Sequence, residues 1–370
     1  MKKLWKIVAF MFVSIVLVAC GNTGGGTASS STESGTGTAE GKTYNVGVAI
    51  YKFDDNFMTL YREELAAYFK KLGEETGNKY VLDIQDGKQD QATQTEQINN
   101  FINQKKDVIL ANLVDPTAAG AIINLAKAAE IPVVLINREP EVAELEIWPG
   151  KTTYVGADAT QSGTFQGEMI AATSNKGDIN GDGTVNYITL FGDPANVDAQ
   201  QRTAFSVKAL DDAGIKKEAL AEPYLANWDT AKGQEVTAAA LEQFGNKLEV
   251  VFANNDGMAV GAVTAIEAAG RKVNEDIYVV GVDAIPDAIN LLEKGRLTGT
   301  VLNDHFNQSH TAADVAVKLM NGEDAEAYYW INYVKVTKPE EAELKPATAK
   351  TETTEAIKVR YAERDKALNN

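Results

Sequence analysis

Cysteine is almost missing: Cys20 is the only one in the chain. Downstream of it there is no thiol for a disulfide, a thiolate metal site or a cysteine nucleophile. Histidine is nearly as scarce, with His305 and His310 alone, so no histidine cluster can hold a transition metal. The long apolar run Ile7 to Ala19 falls short of the ~20 residues that a membrane-spanning helix needs. Positive charge is in deficit, with 35 basic against 52 acidic residues and a net charge of −17. That balance argues against a nucleic-acid partner and against a polybasic hold on anionic lipid, and it favours solubility. No nucleophile–base–orienter set is apparent, so an enzyme is not expected.

What is present begins with an address. Lys2, Lys3 and Lys6 precede the apolar run, the architecture of a secretory signal. Leu17-Val18-Ala19-Cys20 resembles the lipobox of bacterial lipoproteins, in which the cysteine is alkylated by a diacylglyceryl group and becomes the new N-terminus. Residues 1–19 are read as the signal peptide and Cys20 as the anchor to the cell membrane. A cleaved signal with an incidental cysteine, or an uncleaved anchor, is the alternative. Residues 20–42 are dominated by Gly, Ser, Thr, Ala and Glu and read as a flexible linker.

From residue 44 short apolar runs alternate with helical periodicity. Asn45–Ile50, Tyr80–Ile84, Val108–Leu113 and Pro132–Ile136 read as strands, with helices between them. The rhythm restarts at Tyr154, with strands expected near Tyr187–Leu190, Val250–Ala253, Ile277–Val282 and Gly299–Leu302. Strands alternating with helices predict α/β architecture with parallel sheets. The units are too many for one compact sheet, so two doubly wound parallel-sheet lobes joined by a multi-strand hinge are expected. The N-terminal lobe is read as 43–154 plus 305–335 and the C-terminal lobe as 155–304 plus 336–349. Crossings are expected near Tyr154, His305 and Lys335, with Tyr328-Tyr329-Trp330 as hinge packing. Residues 350–370 are left as a tail, read from Glu355 on as an exposed helix or disordered chain.

In doubly wound sheets ligands bind beyond the carboxyl ends of the strands. Those positions here are Asp55, Asn137, Asp198 and Arg202, Asn255, Asp283 and Asn303. Planar carboxylates, amides and guanidinium groups can pair with a sugar hydroxyl, which both donates and accepts. Phe57 and Trp228 are candidate platforms for the C–H face of a sugar ring. Taken singly, each polar residue could equally cap a helix, and Asp198 with Arg202 could be a surface pair. Their recurrence at successive strand ends favours the binding reading.

Tyr51-Lys52-Phe53-Asp54-Asp55-Asn56-Phe57-Met58, Asn112-Leu113-Val114-Asp115-Pro116, Ala253-Asn254-Asn255-Asp256, Gly281-Val282-Asp283-Ala284 and Gly299-Thr300-Val301-Leu302-Asn303-Asp304 resemble the bacterial galactose/glucose-binding family of periplasmic proteins. The resemblance runs in register from about residue 44 to residue 336. It implies the type I periplasmic binding protein fold and capture of D-galactose or D-glucose for an ABC transporter permease. It further implies that Asp55, Asn137, Asp198, Arg202, Asn255, Asp283 and Asn303 bind sugar oxygens while Phe57 and Trp228 sandwich the ring. The family pattern has a histidine two residues before the aspartate matched by Asp198; this chain has Asn196 there.

A second motif stands apart from the strand ends. Asp178-Ile179-Asn180-Gly181-Asp182-Gly183-Thr184-Val185-Asn186 has the ligand spacing of the start of an EF-hand loop. Asp178, Asn180, Asp182 and Asn186 supply side-chain oxygens and Thr184 its carbonyl, with Gly181 at the sharp turn. The twelfth position is Thr189 rather than an acid. The family resemblance implies that Glu249 completes a structural Ca2+ site. A turn that binds nothing is the alternative; a dockerin-like reading fails for lack of a second loop. For the whole chain, a sensor feeding a chemoreceptor or kinase, or a receptor for another monosaccharide, stands beside the importer reading.

Overall fold

The computed structural model describes residues 41–338 and 351–369. The signal peptide, Cys20 and the linker up to residue 40 therefore lie outside the described residues. Among the described residues no helix is long and apolar enough to cross a membrane.

The first lobe runs β1 (Thr43–Ile50), α1 (Asn56–Thr76), β2 (Lys79–Asp86), α2 (Gln91–Asn103), β3 (Val108–Ala111), α3 (Ala119–Ala128), β4 (Val133–Ile136), α4 (Val142–Leu145) and β5 (Thr152–Gly156). The second lobe follows with α5 (Ala159–Ala171), β6 (Val185–Phe191), α6 (Val197–Asp212), β7 (Lys217–Ala219), β8 (Tyr224–Leu225), α7 (Thr230–Phe244), β9 (Val250–Ala253), α8 (Asp256–Ala268), β10 (Tyr278–Val280), α9 (Pro286–Glu293) and β11 (Val301–Leu302). The chain then returns through α10 (His305–Met320), β12 (Tyr328–Trp330), β13 (Val334–Thr337), β14 (Thr351–Thr353) and α11 (Thr354–Asn369).

The central strands are short and apolar on both faces, which requires cover on both sides. Val108–Ala111, Val133–Ile136 and Val250–Ala253 are buried at every position. The first sheet has the order β12-β5-β4-β3-β1-β2 and is parallel throughout. Val46, Val48 and Ile50 of β1 face one core with Tyr61, Leu65 and Phe69 of α1. Ala49 faces the other, with Phe101 of α2 and Ile122 of α3. Each fully buried Leu, Ile or Phe side chain contributes about 1.5–3 kcal/mol of transfer free energy. The second sheet runs β10-β9-β6-β7, with β8 also on β6.

Four features differ from the sequence reading. Strands β7 and β8 were not expected, because Lys217-Glu218-Ala219 has no apolar run. Strand β11 leaves the second sheet to join β13 antiparallel and β14 in a small third sheet. Tyr328–Trp330 is an edge strand paired with β5 rather than hinge packing. The chain end is not a free tail either. Helix α11 buries Ile357 and Tyr361 and packs against α1 and α9, one helix from each lobe.

The lobes are joined by the connections β5–α5, β11–α10 and β12–β13. The carboxyl ends of β1, β4, β6, β9, β10 and β11 meet beside them, which is where the strand-end residues lie.

Candidate functional site

Each functional side chain is placed by the end of the strand before it. Beyond β1, Asp55 caps α1: its Oδ1 accepts the Met58 N–H at 2.7 Å and its Oδ2 accepts the Tyr51 hydroxyl at 2.6 Å. A capped first turn fixes Phe57 at the head of the helix. At the end of β4 Asn137 takes φ 62°, a conformation that asparagine tolerates better than most residues. Asn112 steadies it, donating to the Asn137 Oδ1 at 3.0 Å and the Ile136 carbonyl at 3.1 Å.

The second lobe uses the same device. Asn196 caps α6 by accepting the Asp198 N–H at 2.8 Å. One turn later Arg202 donates to the Asn254 carbonyl at 2.7 Å, the Tyr333 hydroxyl at 2.9 Å and Asp198 at 3.4 Å. Its Nε is buried with no protein acceptor. Trp228 passes over Gly192, where an added Cβ would lie 2.3 Å from the indole ring. Asn255 caps α8 and also donates to the Trp228 carbonyl at 3.3 Å.

Asp283 is held by force from its surroundings. It takes φ 120° and Ala284 takes φ 56°, a strained pair for residues with a Cβ. Asp256 offsets that strain by accepting the Ile285 N–H at 3.1 Å and the Thr300 hydroxyl at 2.8 Å. Asn303 reaches the Asp283 Oδ1 at 3.3 Å and is itself held by Gln308 at 2.6 Å.

These elements bring Asp55, Phe57, Asn137, Asn196, Asp198, Arg202, Trp228, Asn255, Asp283 and Asn303 to one cavity between the lobes. The sequence reading missed Tyr51, Met58 and Arg138, which line the same cavity. Tyr51 and Arg138 each lie next to a strand end; their importance comes from partners far away in sequence. Arg138 stacks 3.9 Å over the Tyr51 ring and pairs with Asp193 of the other lobe at 3.2 Å.

Burial dominates the electrostatics. It pushes Asp198 above the ordinary carboxylate range and Asp283 well above it, while Arg202 pulls both back. Asp256 is pushed up to about 7 by burial, against hydrogen bonds that favour its charged form. Glu139 also rises to about 7, from burial first and then from Asp198 and Asp158. Three carboxylates against Arg202 and Arg138 make a poor home for an anion. They suit a neutral molecule rich in hydroxyls.

The two histidines stand outside this set. His305 is buried, with its ring between Phe57 of α1 and Tyr361 of α11. His310 pairs with Glu64 at 2.6 Å and stacks on Tyr68.

The 178–186 loop lies before β6, at the opposite end of that strand from Asn196. Asp178, Asn180 and Asp182 each accept loop N–H groups, closing turns around Gly181 and Gly183 at φ 77° and 85°. Glu249, fully buried, accepts Ile179 N–H at 2.8 Å, Asn180 N–H at 2.9 Å and both Asn186 N–H and amide at 2.9 and 3.1 Å. The Asn186 Oδ1 is buried without a donor. Among the described residues no three His, Cys, Asp or Glu side chains group as a metal cluster. An ion here would depend on amide and carbonyl oxygens as well as carboxylates, a donor set that fits calcium's preference for many hard oxygens.

Comparison with known proteins bears on the family and the fold. Residues 46–324 match the family model described as periplasmic binding protein domain. The D-galactose/methyl-galactoside binding periplasmic protein MglB of Haemophilus influenzae is 37% identical over 284 residues, covering 76% of this chain and 82% of that protein. The ribose import binding protein RbsB of Bacillus subtilis is 26% identical over 76% of this chain and 83% of its own length. A solved ABC transporter solute binding protein from Bacillus halodurans, with bound myo-inositol, superposes with a TM-score of 0.68 at 29% identity, covering 83% of this chain and 98% of that one. With its two parallel-sheet lobes and the cleft between them, the chain belongs to the periplasmic binding protein family, of the type I fold.

Proposed function

We propose that the chain is an extracytoplasmic solute-binding protein that captures D-glucose or D-galactose and presents it to an ABC transporter permease. One observation carries this reading. A single cavity collects acceptors and donors from both lobes, bordered by Phe57 and Trp228, with no net positive charge to attract an anion. The 37% identical relative is described as binding D-galactose and methyl-galactoside. Asp55, Asn137, Asp198, Arg202, Asn255, Asp283 and Asn303 bind the sugar oxygens, and the Asn196 amide contributes a donor where the family pattern has histidine.

Closure is the mechanism. Ligand groups from separate lobes can all be satisfied only when the lobes meet, so the sugar favours the closed form through its differential contacts. The Asp55 oxygens are already engaged by Tyr51 and Met58, which suits binding rather than nucleophilic attack. Calcium, when bound, is held by Asp178, Asn180, Asp182, the Thr184 carbonyl, Asn186 and Glu249, and it ties the loop to β9. Cys20, lipidated, keeps the protein at the membrane.

Calorimetry of the full chain against glucose, galactose, ribose, allose and myo-inositol tests the reading. Glucose or galactose is expected to bind tightest. Tighter binding of ribose or inositol overturns the hexose assignment, and silence for all of them overturns sugar binding.

A further inference from the structure

The sugar cavity has a neighbour. A solvent-open hollow of about 910 Å3 adjoins it, sharing Tyr51, Arg138 and Trp228 as its wall. Apart from Val114 the rest of its lining is polar, with Lys52 and Gln89 from the first lobe and Asn227 and Asp229 from the second. Gln89 (φ 55°) and Asn227 (φ 50°) both sit in the left-handed region, so each rim is a sharply turned loop.

The bar between the two spaces is the Arg138–Asp193 ion pair. Each end is fixed. Arg138 is buried on the Tyr51 ring and donates to the Val114 carbonyl at 2.8 Å. Asp193 accepts the Ala195 N–H at 2.9 Å through its other oxygen. One residue comes from each lobe, so the bar exists only when the lobes are together. A substituent on a bound sugar that points this way must break the pair and strand a buried guanidinium, which is unfavourable.

We propose that Arg138–Asp193 is a gate that limits the inner site to a single sugar ring, and that it closes off an outer hollow able to seat a second, glycosidically linked hexose only when the pair is broken. The planar amides and carboxylate of Gln89, Asn227 and Asp229 are suited to the hydroxyls of that second ring. This inference rests on the sugar-binding reading above.

The test compares the full chain with its Asp193→Asn variant, which removes the charge and keeps an acceptor for Ala195. Calorimetry measures glucose, galactose and their 1→4 and 1→6 linked disaccharides. The quantity read is the disaccharide-to-monosaccharide ratio of Kd. The ratio is expected to be high in the parent chain and to fall about tenfold or more in Asp193→Asn, the scale of a pairwise contact. Asp193→Glu restores it, and adding Gln89→Ala to Asp193→Asn removes the gain. The gate is overturned by disaccharides binding the parent chain as tightly as monosaccharides, by an unchanged ratio, or by loss of all sugar binding in a folded Asp193→Asn. If the parent chain binds no sugar at all, the sugar reading itself falls and the gate falls with it.

Discussion

In the cleft, Asp55, Asp198 and Asp283 come from three different strand ends, whereas Asp178, Asn180 and Asp182 follow one another in a single turn. The cleft carboxylates are buried, set against guanidinium groups, and two of them are pushed above the ordinary range. The loop acids are ordered by their own backbone, and only Glu249 arrives from elsewhere. The same chemical groups thus serve two purposes. Gathered from afar they depend on the whole fold and can register lobe movement. Gathered locally they depend on spacing and can reinforce one corner.

The sharpest way to break this comparison is Asp283→Ala. It removes an acceptor at the centre of the cavity and is expected to weaken sugar binding by about 4 kcal/mol, roughly a thousandfold. Melting should change little, since a carboxylate that burial disfavours is lost. Calorimetry paired with a thermal melt checks both, and retained affinity would take Asp283 out of the site.

Glu249→Ala should show the reverse pattern. Four N–H donors lose their acceptor, at a cost of about 3 kcal/mol of stability. Sugar affinity should move less than about threefold, because the loop and the cleft lie at opposite ends of β6. A chelator should lower the melting temperature of the parent chain and leave that of Glu249→Ala unchanged. If it shifts neither, and mass spectrometry finds no calcium, the metal proposal fails.

The smallest effect concerns Asp256, which braces Asp283 without lining the cavity. Burial raises it to about 7, so the folded protein holds that proton more tightly than the unfolded chain. Its contribution to stability is complete below the unfolded value near 4 and is lost as pH rises through about 7. Asp256→Asn should flatten this fall between pH 4 and 8. Denaturant melts across that range check it; an unchanged slope would show that Asp256 does not titrate there.

How much of this was legible in the sequence follows from the range of each interaction. The parallel strands were visible because Val108–Ala111 or Val250–Ala253 is apolar at every position. The cavity residues were visible because a strand end is a local feature and the chemistry recurs there. Tyr51 and Arg138 were not, since their roles come from each other across the chain and from Asp193 on the other lobe. A helix from Glu355 on was one of the two readings of the chain end, but the packing of α11 was not legible, because its charged residues mask the buried pair Ile357 and Tyr361 and its partners α1 and α9 lie far back in the chain.

The sequence by itself determined the alternation of strands and helices, the polar strand ends and the spacing of the 178–186 loop, because each depends on residues within one or two turns of each other. Only the tertiary structure decided that the strand ends face a shared cavity, that Asp256 braces the strained turn at Asp283, and that one ion pair spans the cleft. The brace and the ion pair join residues 29 and 55 apart and the cavity gathers residues from Tyr51 to Asn303, so their geometry is set by how two sheets pack rather than by local preference.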